Sequence, residues 1–140
     1  MTDTLLDPVA FLQPLLEAGM PGFTVARELD ETSADLMPMV LYDATGSSDE
    51  AVVNGPGLWD IGVVVSVLAG SESAAQDAAE ALDSLIMSWD MPGEGWFPDV
   101  GGVSRVEREQ MFDHVYKSDV FDKDVRQADA TYRMRMRNLA

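Results

Sequence analysis

His114 is the single histidine of the 140-residue sequence, and with Asp113 before it forms the first candidate for proton-transfer chemistry, since a carboxylate beside an imidazole can orient a general base. Two considerations weaken it. Neighbouring side chains on a strand point to opposite faces, and one imidazole cannot build a two-histidine metal site. Asp119, Asp122 and Asp124 form the one cluster whose spacing hints at a cation. It lacks the glycine and the closing bidentate glutamate of an EF-hand loop, so a solvated acidic turn is the expectation. A metal-dependent enzyme built on these aspartates and His114 is the poorest of the readings. Gly55 and Gly57, like Gly93 and Gly95, have neither the spacing of a phosphate loop nor the Lys-Ser/Thr that follows one, and are assigned to turns. Serine and threonine nucleophiles have no partner base in a recognisable motif. Cysteine is absent, which excludes disulfides and thiolate ligands. The sequence predicts no catalytic residue, no cofactor and no metal, and points to assembly instead.

Charge directs that assembly. Nine basic residues against 25 acidic ones give a net charge of −16, which repels phosphate backbones and anionic membrane surfaces. Arg27 is the only basic residue before Arg105. Such an asymmetry can orient copies of one domain head to side, basic strand against acidic face. A solvated strand face chosen for solubility explains the charges equally well. There is no signal-peptide pattern and no apolar run near 18 residues, so the expectation is a soluble chain made in a cytoplasm.

The elements that position these residues are read best from the end of the chain. Between Arg126 and Asn138, Ala128, Ala130, Tyr132, Met134 and Met136 alternate with Gln127, Asp129, Thr131, Arg133, Arg135 and Arg137, the period of a half-buried strand. At this length one domain is expected, burying roughly 68–70% of the unfolded surface. Asp7-Pro8 reads as a helix start, with Val9, Leu12, Leu15 and Leu16 as its apolar stripe and Pro14 as a kink. Phe23 to Leu29 and Met37 to Ala44 read as two strands of a hairpin. Thr45 to Leu58 is rich in Gly, Ser, Asp and Pro and reads as a long mobile loop. Trp59 to Ala69 is the most hydrophobic run and should be a central strand covered on both sides for part of its length. Ser73 followed by Gln76 has the form of a capping box, opening a helix to Trp89 whose apolar stripe is Ala75, Ala78, Ala79, Leu82, Leu85, Ile86 and Trp89. Trp96-Phe97 is expected as an apolar knot in a loop. Val103 to Glu109 reads as a strand, and Met111 to Asp124 as a structured connection.

The predicted fold class is α+β: a single antiparallel or mixed sheet with a long amphipathic helix and a short N-terminal helix on one face. The opening Asp7-Pro8 helix, the Trp59-Asp60-Ile61-Gly62-Val63-Val64-Val65 strand leading into the Ser73 to Trp89 helix, and the closing Ala130-Thr131-Tyr132-Arg133-Met134-Arg135-Met136-Arg137 strand together resemble the tail terminator proteins of long-tailed bacteriophages. The resemblance covers most of the chain and is least typical at 45–58 and at 111–124. It implies a non-enzymatic virion protein assembled in the host cytoplasm, one tail-terminator-like domain over residues 1–140. Six copies would form a ring capping the head-proximal end of the tail tube. The implied partners are other copies of itself, the major tail tube protein and the neck or head-completion proteins, with DNA only passing through the lumen and no membrane.

Within that reading, Arg133, Arg135 and Arg137 are expected to meet acidic residues of the adjacent copy, with Glu28, Asp30 and Glu31 as possible partners. Ser47, Ser48, Asp49, Glu50, Val52, Val53 and Asn54 are the expected contact loop toward tube or neck. Two alternatives are a different head–tail connector or neck protein of the same virion, and a cytoplasmic dimeric domain binding a small ligand between Trp59, Trp89 and Trp96.

Overall fold

The alternation near the C-terminus becomes the spine of the molecule. The computed structural model describes residues 8–29, 36–45, 52–55, 58–98, 100–118 and 124–138. Its elements run α1 (Val9–Gly19), β1 (Thr24–Ala26), β2 (Met39–Thr45), β3 (Val52–Gly55), β4 (Leu58–Ala69), α2 (Glu72–Ser88), β5 (Trp96–Phe97), β6 (Gly101–Gln110), β7 (Tyr116–Lys117) and β8 (Arg126–Asn138). β4 and β8 lie antiparallel along their whole length, from Leu58 opposite Arg137 to Ala69 opposite Arg126. Around them the sheet order is β1-β2-β4-β8-β6-β5, with β3 also on β4 and β7 also on β8.

Each spine strand is flanked by two partners used in succession. β2 covers β4 between Leu68 and Gly62, and β3 covers it from Asp60 to Leu58. β6 covers β8 from Asn138 to Thr131, and β7 then takes Gln127 and Arg126. Both helices pack on one face, where Phe11, Leu12 and Leu16 of α1 and Ala78, Leu82 and Ile86 of α2 join Ile61, Val63, Val65 and Val67. Tyr132, Met134 and Met136 complete that layer and are fully buried. Burying a methionine is worth roughly 1.5–3 kcal/mol. A one-residue slip of β8 would expose both methionines and bury Arg133 and Arg135 instead, which fixes the register. The fold class is therefore the α+β arrangement read from the sequence, with a mixed sheet and helices on one side.

Among the described residues, the opposite face is covered only at one end. Met39, Leu68 and Val125 are buried there against Leu29, Met37 and Leu41. Val64, further along, is 37% exposed. β4 is thus covered on both sides for part of its length, as its composition predicts.

Several expectations require correction. The first two strands are not a hairpin: β1 and β2 are parallel, with Thr24 opposite Met39 and Ala26 opposite Leu41. The connection between them is about a dozen residues long, enough to return the chain to the starting end of the sheet. The expected strand over Phe23 to Leu29 shrinks to three residues. The edge carbonyl of Val25 is taken by the Gln13 side chain at 2.9 Å, and Gln13 in turn accepts from the Tyr42 hydroxyl at 2.7 Å. Helix α1 continues through Pro14. Ala10, whose carbonyl loses a donor to that proline, is exposed to water. Asp7 lies outside the described residues, and Pro8 holds the N-cap position without a side-chain cap.

Helix α2 is capped by Ser71, not Ser73. Ser71 is extended, and its hydroxyl accepts the Ala74 N–H at 3.1 Å, leaving Ser73 inside the first turn. Val52–Gly55, expected within a loop, pair with β4 as β3. Trp96 and Phe97 are also a strand, opposite Gly102 and Gly101. That pairing demands glycine, because a Cβ on Gly102 would collide with the Gly95 carbonyl and the Trp96 backbone.

Candidate interaction surface

The face of the sheet turned away from the helices gathers the charged half of β8. The register places Arg135 between Arg105 of β6 and Asp60 of β4, and Arg133 between Glu107 and Gly62. Arg135 Nε lies 3.4 Å from Asp60 Oδ1, and Arg133 Nε donates to Glu109 Oε1 at 2.8 Å. Glu109 also makes the Arg133 guanidinium still harder to deprotonate, first through that hydrogen bond and then through its charge. Arg105 reaches Glu107 at 3.7 Å, with both side chains 61% exposed. Arg137, opposite Gly102 and Leu58, is exposed and has no ion pair among the described residues.

The structure therefore brings the three predicted arginines onto one face and adds Arg105 as a fourth. Two of the three, Arg133 and Arg135, already have acidic partners within the chain. Like charges directly opposite one another, as at Arg105 and Arg135, are unfavourable. Exposed ion pairs return only about 0–1 kcal/mol each, so this corner contributes little to folding.

Beyond Thr131 the same face holds a hydrogen-bonded carboxylate. Asp129 accepts from Ser66 Oγ at 2.5 Å, from Gln127 Nε2 at 2.9 Å and from the Tyr116 hydroxyl. Three strands, β4, β7 and β8, are tied together through that one side chain. The sequence shows Asp129 only as a polar position in an alternating strand; its three donors are invisible without the register.

On the helix side a second carboxylate joins layers. Asp83 of α2 takes Arg108 through two bonds, Nε at 3.0 Å and Nη2 at 2.7 Å, and accepts the Tyr132 hydroxyl at 2.6 Å. The Arg108 hydrogen bond, partly opposed by burial and reinforced by Tyr132, holds the Asp83 carboxyl below its ordinary value. Burial and then the Asp83 hydrogen bond push the Tyr132 phenol well above the usual range.

Beside this contact, where β6 has ended and β7 has not begun, a cleft of about 400 Å³ opens between α2 and residues 111–115. Ala79, Phe112, Val115 and Ala128 supply apolar wall, whereas Glu72, Glu80 and Asp113 supply carboxylates. His114 and Asp113 do pair there, Nδ1 to Oδ1 at 2.8 Å. The strand-based expectation fails because these residues are not in a strand. Both side chains are exposed to solvent.

Other predicted positions are scattered. Glu28 is exposed just after β1. Asp30, Glu31, Ser47, Ser48, Asp49 and Glu50 lie outside the described residues, and Val52, Val53 and Asn54 lie in β3. Asp119 and Asp122 also lie outside them, whereas Asp124 pairs with Arg126 at 3.0 Å. Trp89 is buried in the core while Trp59 and Trp96 are half-buried, and none of the three lines the cleft.

No protein-family model matches the chain. No curated protein matches it. Among solved structures, it is similar to a chain in the virion of a native gene transfer agent particle, with 19% identity, a TM-score of 0.49, and 91% of this chain and 92% of that chain covered. A likeness of that strength decides neither activity nor partner.

Proposed function

We propose that this chain is a non-enzymatic structural protein of a phage-type virion, a tail terminator. Copies form a ring on the head-proximal end of the tail tube, end its polymerisation and offer a surface to the neck proteins. One observation carries the reading: the open sheet face concentrates Arg105, Arg133, Arg135 and Arg137, whereas the chain as a whole has a net charge of −16. Two unlike surfaces on one subunit favour a heterologous contact, and a heterologous contact whose rotation closes makes a ring. The sequence resemblance in β4, α2 and β8 points the same way. An acidic chain also suits a passage for DNA, because like charge suppresses counterion-release binding.

The test is mass measurement across a wide concentration range, followed by negative-stain imaging and addition of purified tail tubes. A closed six-membered ring that stops tube growth is the expected result. A stable two-fold dimer that ignores tubes would refute it.

A further inference from the structure

We infer that the cleft between α2 and residues 111–115 of one copy receives the arginine corner of a second copy, led by Arg137 and Arg105. The inference rests on the reading above only in requiring that copies of this chain associate.

The cleft has the two parts an arginine side chain needs. Apolar wall from Ala79, Phe112 and Val115 can cover the aliphatic stem, and Glu72, Glu80 and Asp113 can meet the guanidinium. The same wall already holds one guanidinium within the chain, since Asp83 lines the cleft and grips Arg108 with two bonds. Glu72 and Glu80 have no ion pair among the described residues.

The donor is chosen by elimination among the described arginines. Arg108 and Arg126 are paired to Asp83 and Asp124, and Arg27, whose contact to Asp43 is also a long 3.7 Å, follows β1 at the other end of the sheet, away from the arginines of β6 and β8. Arg133 and Arg135 are held by Glu109 and Asp60. Arg137 is exposed without such a partner, and Arg105 has only its long contact to Glu107. The two surfaces also lie on opposite sides of the sheet. A copy therefore cannot fill its own cleft with its own arginine corner, and the contact runs from the open face of one subunit to the helix side of the next. Charge complementarity of this kind sets orientation and excludes the reversed pairing.

The test is a charge exchange. Three full-length variants are compared with the parent by sedimentation velocity at low ionic strength: R105E/R137E, E72R/E80R, and all four changes together, each checked for folding by its thermal melt. The parent is expected to assemble. Either double variant alone should need about tenfold more protein to assemble, and the quadruple variant should recover. Mixing the two double variants should also restore assembly, because each then offers the surface the other has lost. Should a double variant not fold, the quadruple variant and the single changes R137E and E80R carry the comparison. Assembly that ignores both double changes, or a parent that stays monomeric throughout, would overturn the inference. Assembly that obeys the exchange but yields an open filament would leave the inference standing and remove the ring.

Discussion

Asp83 is the residue whose chemistry reaches furthest through the fold, since its one carboxylate joins α2 to β6 through Arg108 and to β8 through Tyr132. Replacing it by asparagine keeps an acceptor for the phenol but removes the charge that Arg108 meets. Asp83→Asn is expected to cost about 1–2 kcal/mol at neutral pH, allowing for the exposure of the arginine. The folded carboxyl is held below its ordinary 3.8. Its contribution is thus complete above that pH and is lost as the pH falls through the lower folded value. The difference between parent and variant in urea midpoint should therefore shrink on the acid side of 3.8 and close below the folded value. A difference unchanged into strong acid would mean that the contact does not depend on the carboxylate charge.

Among the elements, α2 gives the sharpest contrast, between two serines separated by one residue. Ser71→Ala removes the bond to the Ala74 N–H and is expected to cost about 1 kcal/mol. Ser73→Ala should stay within about 0.5 kcal/mol, as exposed substitutions usually do; equal losses in thermal melts would contradict the assigned cap. The serine pattern misleads because Ser73 and Gln76 have the right spacing for a capping box, while the position of the first turn depends on how β4 delivers the chain at Ala69. Long elements with strict periods were legible: β8 follows its alternation from Arg126 to Asn138, and β4 and α2 begin and end within one or two residues of their patterns. Short strands were not, because β3, β5 and β7 have two to four residues each and owe their existence to a neighbour's free edge rather than to their own composition. The parallel pairing of β1 with β2 was hidden for the same reason. Of the candidate surface, the three arginines of β8 could be placed on one face from spacing alone, while Arg105 and the cleft arise only from cross-strand register and from the departure of residues 111–115 from the sheet.

At the scale of the whole molecule, the β4–β8 pair should be the last part to open. Hydrogen exchange is expected to be slowest at amides bonded between these strands around Val63, Val65, Ala130 and Tyr132, and fastest in β1 and β5 at the two ends of the sheet. Equal protection in β1 and β8 would argue against a hierarchical fold. The ends of the sheet have a further consequence. β1 has three residues and β5 two; the Gln13 side chain occupies the Val25 carbonyl, and the Asp90 carboxylate occupies the Val106 N–H at 2.9 Å. β6, the longest strand near an edge, carries Arg105, Glu107, Arg108 and Glu109 in exposed positions. Short, plugged and charged margins of this kind discourage strand-to-strand polymerisation. Copies crowded together at one spot in a cell can then collect through side-chain surfaces without seeding fibrils.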